Sequence, residues 1–185
     1  MDFESYLLYF ESVLLPGHTL APYTDPAYHN YAKLNWSRQQ RWLKVGELNS
    51  ELTEVVKKIS RNQHWVVITE AWCGDAAHIL PFIYKLTQLN PLLRLDIQLR
   101  DSEPFAINNY LTGTSKSIPK LVIRDANDND LLVWGPRPRK CQELYNQLKA
   151  EHADSEETKK QIQGWYNQDK GVSFQEELLA ALLKI

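Results

Sequence analysis

The sequence contains little cysteine: Cys73 and Cys141 are the only two among its 185 residues. Two cysteines cannot build the disulfide framework of a small secreted domain, so we expect a reducing compartment. A four-ligand zinc site is also hard to build, because the five histidines are scattered without ligand spacing on a common helix face. The sequence therefore predicts neither a structural disulfide nor a metal site.

Long apolar runs and charge of a single sign are missing as well. No uninterrupted apolar stretch approaches the roughly 20 residues that span a bilayer. The N-terminal apolar run is broken by Asp2, Glu4 and Glu11 and lacks the basic start of a secretory signal. The formal net charge is −2 with both signs mixed along the chain, so no basic stripe is available for a phosphate backbone. We expect a cytoplasmic protein without membrane or nucleic-acid partners.

The composition that is present is typical of one globular domain. Hydrophobic residues make up 43% and charged residues 24% of the chain, which excludes disordered and collagen-like classes. The length suffices for one substantial core. We interpret residues 1–185 as a single domain with an N-terminal helical region (1–59), a core (60–150) and C-terminal helices (151–185).

Hydrophobic periodicity predicts alternating helices and strands. The predicted strands are 65–69, 93–99, 121–123 and 131–134. The predicted helices are 3–15, one or two within about 27–59, 74–89, a short one near 104–111, 138–152, and two further helices capped by Ser155 and Ser173. Strand, helix and strand between 65 and 99 form a βαβ unit, whose crossover is right-handed, and the last two strands form an antiparallel hairpin.

The first strand leads into Trp72-Cys73-Gly74-Asp75, and a helix begins directly afterwards. We therefore expect an exposed Cys73 at the helix N-cap, where first-turn N–H groups and the positive helix end favour the nucleophilic thiolate. Asp75 opposes this effect, because a nearby carboxylate disfavours a second negative charge. The alternative for Cys73 is a small buried hydrophobe. The simpler interpretation of Asp75 is a first-turn carboxylate that interacts with free helix amides.

Four landmarks, in the right order, resemble the thioredoxin superfamily: the start of its Trp-Cys-Gly-Pro-Cys motif, its helix-kinking proline, its cis-proline and the glycine after its last strand. In this chain they are Trp72-Cys73-Gly74, Pro81, Pro119 and Gly135. The alternative for Pro119 is an ordinary trans proline at a strand edge. The resemblance covers about residues 60–150. It implies a thioredoxin-like α/β fold, with a central four-stranded mixed sheet flanked by helices and with N-terminal and C-terminal helical extensions.

More narrowly, the Trp-Cys-Gly-Asp motif followed by Trp134-Gly135-Pro136-Arg137-Pro138 resembles a little-characterised bacterial thioredoxin-like family. In the thioredoxin fold the last strand runs parallel to the strand that precedes the cysteine, so both ends are expected on one rim. Arg137 would there offset Asp75, support a thiolate or bind a substrate carboxylate, unless it is simply solvated. The residues expected to bind substrate around Cys73 are Trp72, Gly74, Asp75, Ile118, Pro119, Trp134, Gly135 and Arg137.

Two departures from the superfamily pattern change the expected chemistry. Ala76 stands where the resolving cysteine belongs, so no disulfide can close within the motif. Val67 occupies the place of a buried aspartate that assists proton transfer. Cys141 is a poor substitute for the missing thiol, because a disulfide needs Cα atoms within roughly 7 Å. Only monothiol chemistry remains.

Other polar and aromatic residues allow two interpretations each. Glu70 and His78 flank the motif and are either proton shuttles or ordinary strand-end and helix residues. The N-terminal aromatic residues either pack in the core, which is the simpler interpretation, or form a wall over the thiol. These aromatic residues are Tyr23, Tyr28, Tyr31, Trp36 and Trp42.

The resemblance and its departures predict a protein that forms mixed disulfides through Cys73 with a protein or a small-molecule thiol or disulfide. No cofactor is expected, although glutathione is a possible co-substrate. The alternative is a redox-inactive thioredoxin-fold protein-binding module, which Ala76 and Val67 favour. Thiol peroxidase chemistry has less support, because Glu70 stands where a Thr or Ser is expected.

Overall fold

The computed structural model describes residues 1–185 and contains one sheet of four strands. The strands are β1 (Gln63–Thr69), β2 (Leu93–Leu99), β3 (Lys120–Arg124) and β4 (Asp130–Trp134). They lie in the order β2, β1, β3, β4, and β1 is parallel to β2 but antiparallel to β3, which is antiparallel to β4. This arrangement confirms the predicted mixed sheet and makes β4 parallel to β1.

Seven α-helices flank the sheet. They are α1 (Phe3–Leu14), α2 (Pro26–Val45), α3 (Ser50–Lys57), α4 (Gly74–Thr87), α5 (Arg139–Ala150), α6 (Ser155–Asp169) and α7 (Val172–Leu182). The short helix expected near 104–111 is a single 3-10 turn, Ala106–Asn109. The region at 27–59 forms two helices, because the chain turns at Gly46 and Asn49 then caps α3 with a side-chain oxygen that accepts the Leu52 N–H. None of the helices combines the length and apolar character that crossing a bilayer requires.

The last two helices begin at other residues than predicted. Asp154, not Ser155, caps α6, and its carboxylate accepts the Glu157 N–H at 2.8 Å. Gly171 precedes α7 with a left-handed backbone, so that Ser173 falls inside the first turn and its N–H and hydroxyl donate to Asp169. Both corrections have one cause: carboxylates satisfy helix N–H groups as well as serine hydroxyls do.

The alternation of side chains along β1 creates two apolar layers. Trp65 and Val67 belong to the main core of 29 buried residues, which also includes residues of the N-terminal and C-terminal helices. The opposite face of β1 packs into a second, smaller cluster. That cluster consists of Val66, Ile68, Cys73, Ala76, Ile107, Ile118 and Val122. Cys73 therefore lies at the edge of the second apolar layer, where β1 ends.

Candidate functional site

Cys73 lies at the turn between β1 and α4. The turn is closed by a hydrogen bond from the Cys73 N–H to the Glu70 carbonyl at 3.0 Å. Cys73 is the N-cap of α4, and its Sγ accepts the Ala76 N–H at 3.5 Å. The sulfur thus occupies a position where free N–H groups at the start of the helix stabilise a negative charge.

The expected exposure of Cys73 is wrong, because the residue is only 5% exposed. Its side chain packs against the second apolar cluster, and its thiol donates to the Ile118 carbonyl at 3.5 Å. Burial raises the pKa of the Cys73 thiol to about 12, and Asp75 adds to the rise, whereas the Ala76 N–H and Arg137 oppose it. At neutral pH the resting group is therefore the thiol, because desolvation outweighs the helix end.

Asp75 pairs with Arg137 rather than with free helix amides. Arg137 Nη2 lies 2.8 Å from Asp75 Oδ2, and Arg137 Nε donates to Asp75 Oδ1 at 3.1 Å. Asp75 is buried, which raises the pKa of its carboxyl, and Arg137 opposes that rise. The guanidinium also lies over the Tyr145 ring at 4.5 Å. Arg137 is therefore not simply solvated. It offsets the charge of Asp75, which is the first of the roles expected from the sequence.

A cavity of about 620 Å³ opens beside Cys73, and we refer to it as the cleft. Residues 72–75 form one side of it and residues 115–118, which precede β3, form another. Tyr28 and Tyr31 of α2 contribute an aromatic side. Tyr31 approaches so closely that a Cβ at Gly74 would lie 2.9 Å from its hydroxyl. The glycine of the motif thus leaves room for the Tyr31 hydroxyl beside Cys73.

The cleft has a cationic lining. Asp75 is the only carboxylate that lines it. The cations that line it are Arg100, Lys116, Arg137 and Lys159. Since the whole chain carries a formal net charge of −2, this concentration of positive charge is local to the cleft.

The main chain of residues 116–118 is unpaired along the cleft. The N–H groups of Lys116, Ser117 and Ile118 donate to no group of the chain, and the peptide bond between Ile118 and Pro119 is cis. The Ile118 carbonyl accepts only the weak bond from Cys73. This segment therefore offers free donors and acceptors of the kind that an extended ligand satisfies.

Three predicted substrate contacts do not line the cleft: Pro119, Trp134 and Gly135. Trp134 is buried, and its indole N–H donates to Glu177 of α7 at 2.8 Å. Gly135 has φ +123°, and a Cβ there would lie 2.2 Å from the Pro119 carbonyl oxygen. Gly135 thus packs against Pro119, which directly follows the 115–118 segment.

The remaining candidates serve the interior. Glu70 is buried and accepts the Asp101 N–H at 3.0 Å, and burial raises the pKa of its carboxyl. His78 is buried and stacks on Tyr166. Cys141 is buried with a free thiol, and burial raises its pKa to about 12. None of the three predicted residues lines the cleft.

Several lining residues were missed from sequence: Arg100, Ser115, Lys116, Ser117 and Lys159. Arg100 directly follows β2. Because β1 and β2 are parallel and end at the same sheet edge, its position after β2 could have predicted that it lies near Cys73. Lys116 directly precedes the predicted Ile118 and Pro119 pair. For Lys159 there was no signal, because its place depends on how α6 packs against the rest of the chain.

Comparisons with known proteins agree with this architecture. A family model described as Thioredoxin matches residues 22–161, and the match therefore begins before the core that the sequence delimited at residue 60. The structure of a protein of unknown function, PA1234 from Pseudomonas aeruginosa, is 21% identical, with 99% of this chain and 92% of that chain covered and a TM-score of 0.56. The structure of an HIV epitope scaffold is 20% identical, with 100% of this chain and 93% of that chain covered and a TM-score of 0.57. No curated protein matches. At these identities the two structures are alike in fold.

Proposed function

Because the chain belongs to the thioredoxin family, whose model matches residues 22–161, we propose that it binds an extended partner segment in the cleft beside Cys73. The observation that carries this proposal is the unpaired main chain of residues 116–118 along an open cavity of about 620 Å³. A cavity of this size lies within the range of known ligand sites. An extended segment would pair its own main chain with that of residues 116–118, as an added strand does at a sheet edge.

Thiol chemistry is not needed for this binding. The Cys73 thiol is protonated at neutral pH because its pKa is raised to about 12, and Ala76 supplies no second sulfur to close a disulfide. The thiol instead contributes a small apolar surface to the side of the cleft. These features favour the protein-binding alternative over a catalytic thiol in the resting protein.

A second candidate function is mixed-disulfide formation by the bound partner. It is favoured by the Ala76 N–H, which points at Cys73 Sγ from 3.5 Å, and by the place of Cys73 in the lining. In that reaction Cys73 loses its proton to solvent, its sulfur attacks one sulfur of a partner disulfide, and the other partner sulfur leaves as a thiolate. Glutathione or another external thiol would then release the partner by attacking the mixed disulfide.

The binding proposal is tested with a library of extended, mixed-sequence peptides and a variant that fills the cleft. Ser117→Trp places a large side chain in the lining, whereas Ser60→Trp makes the same change at an exposed site before β1, at the other end of that strand. We expect selected peptides to bind the wild type and Ser60→Trp but not Ser117→Trp. Equal binding to all three proteins would reject the cleft as the site.

Cys73→Ser separates the two candidate functions. A binding protein keeps its affinity for the selected peptides, because serine is close to cysteine in size and its hydroxyl can still donate to the Ile118 carbonyl. A thiol-exchange protein loses the covalent adduct with a disulfide-containing peptide, which mass spectrometry of the intact protein detects. An adduct that forms on the wild type within minutes at neutral pH would make thiol exchange the better assignment.

A further inference from the structure

We propose that the segment bound in the cleft is acidic, with carboxylates that pair with cations of the lining. This inference rests on the proposed binding function and names the chemical class of its ligand. Of the charges that line the cleft, the Asp75 carboxylate and Arg137 already pair with each other. The remaining charges that line it are three cations: Arg100, Lys116 and Lys159. The charges of the lining that no other lining residue neutralises are therefore all positive.

Aromatic rings hold two of these cations at the cleft. The Arg100 guanidinium lies 4.5 Å from the centre of the Trp72 ring, and Lys159 Nζ lies 5.5 Å from that of Tyr31. Both rings also line the cleft. Cation–π contacts of this kind fix the position of a long side chain without neutralising its charge. Both cations are thus placed beside a bound ligand before it arrives.

The acidic neighbours of these two cations do not line the cleft. Arg100 pairs with Asp101, and Lys159 pairs with Glu156, at 2.6 and 2.7 Å. The side chains of Asp101 and Glu156 are 51% and 84% exposed, and the single exposed bond between Lys159 and Glu156 contributes little free energy. Arg100 holds Asp101 more firmly, through Nε and Nη2, but its Nη1 forms no hydrogen bond. A ligand carboxylate can therefore replace Glu156 at small cost, and it can bind Arg100 at Nη1 without displacing Asp101.

Lys116 is the cation without a partner. It is exposed, lines the cleft and forms no ion pair. It also belongs to the segment 116–118 whose main-chain N–H groups are unpaired. A ligand strand that pairs with this main chain brings its side chains next to Lys116. In addition, Trp72 lines the cleft and its buried indole N–H has no acceptor.

The test uses three capped hexapeptides without terminal charges, in which valine alternates with glutamate, glutamine or lysine. Binding to the full chain is measured by fluorescence anisotropy under reducing conditions. We expect the glutamate peptide to bind about tenfold more tightly than the glutamine peptide, which corresponds to two or three exposed ion pairs. The lysine peptide should not bind, and added salt should weaken only the glutamate complex.

A charge reversal locates the contact. Lys116→Glu should weaken the binding of the glutamate peptide more than that of the glutamine peptide, because only the former carries a charge that the new carboxylate repels. Lys58→Glu is the matched control, because Lys58 is exposed at the C-terminal end of α3 and does not line the cleft. Circular dichroism of both variants verifies that the fold is retained. Equal affinity of the glutamate and glutamine peptides, or equal effects of both reversals, would overturn the acidic preference.

The failure of this inference differs from the failure of the binding function. If library peptides bind in the cleft but acidic ones are not preferred, the function stands and the ligand class is wrong. If no library peptide binds and the glutamate peptide does not bind either, both are wrong. If the glutamate peptide binds Ser117→Trp as tightly as the wild type, it binds outside the cleft and the inference is rejected.

Discussion

Arg137 and the buried Asp75 form a partly buried, two-bonded ion pair between residues 62 positions apart in sequence. Arg137 follows β4 and Asp75 lies in the first turn of α4, so the pair joins the end of the sheet to the helix that begins at Cys73. Two parallel N–H to oxygen bonds are the strongest geometry available to an arginine and a carboxylate. The pair therefore controls both the stability of this corner and the charge next to the thiol.

Removal of Arg137 alone should destabilise the protein strongly. Arg137→Met leaves the Asp75 carboxylate buried without its partner, at a cost of about 3 kcal/mol in the free energy of unfolding. The double variant Asp75→Asn/Arg137→Met removes both charges and should recover most of that loss. Urea denaturation measures all three proteins. Equal destabilisation in the single and double variants would show that packing of the guanidinium, not its charge, is what matters.

The rate at which Cys73 reacts should rise with pH, and the inflection of this profile should lie at high pH. Because the pKa of the thiol is raised to about 12, the rate of alkylation by iodoacetamide should keep rising beyond pH 10. Mass spectrometry of the modified peptides separates Cys73 from Cys141. Asp75→Asn removes a neighbour that raises the pKa, so its profile should shift to lower pH, whereas Arg137→Met should shift it higher. A plateau near neutral pH in the wild type would contradict the burial of the sulfur.

The sheet and the place of the motif were predictable from sequence because they depend on local patterns. The apolar run of β1, the alternation in β2 and the thioredoxin landmarks each predict an element or a turn without reference to distant residues. The resemblance then supplied the strand order, which places β4 beside β3 and parallel to β1. The family match and the observed topology confirm this part.

The exposure of Cys73 was not predictable in the same way. Cys73 is buried in one cluster with Ile107 and Ile118, which are 34 and 45 residues away in sequence. The cationic lining has the same origin, since Lys159 reaches the cleft through the packing of α6. Long-range packing of this kind leaves no periodic pattern in the sequence.

Stability should fall in mild acid because of His78. Burial lowers the pKa of His78 from 6.5 to about 4, so between these values the unfolded chain binds a proton that the folded chain does not. Stability is then lost as the pH falls from about 6.5 to 4, by about 3 kcal/mol in total. The Trp42 indole N–H donates to His78 Nδ1 at 2.8 Å. A proton on that nitrogen would face another donor.

The control for this prediction is His78→Gln. In the wild type, His78 Nε2 donates to the Gln163 side chain at 2.7 Å. The glutamine amide of the variant can still accept a hydrogen bond from the Trp42 indole and donate one to Gln163. The buried carboxyls of Glu70 and Asp75 have raised pKa values and act in the opposite direction, but they are common to both proteins. The difference in unfolding free energy between wild type and variant should therefore shrink or reverse from pH 7 to pH 4. A constant difference would show that His78 does not titrate there.

Gly135→Ala should destabilise the protein and disturb the cleft. The backbone at Gly135 has φ +123°, and the new Cβ would lie 2.2 Å from the Pro119 carbonyl oxygen, so the chain on one side must move. We expect a loss of about 3 kcal/mol in unfolding free energy and, because Pro119 adjoins the 116–118 segment, weaker peptide binding.

Gly164→Ala is the matched control. Gly164 lies within α6 with nothing within 4 Å of the new Cβ, and the substitution should stabilise the protein by roughly 0.5–1 kcal/mol. Urea denaturation and peptide anisotropy measure both variants. If Gly135→Ala unfolds like the wild type and binds peptide equally well, the contact between Gly135 and Pro119 does not hold the cleft in place.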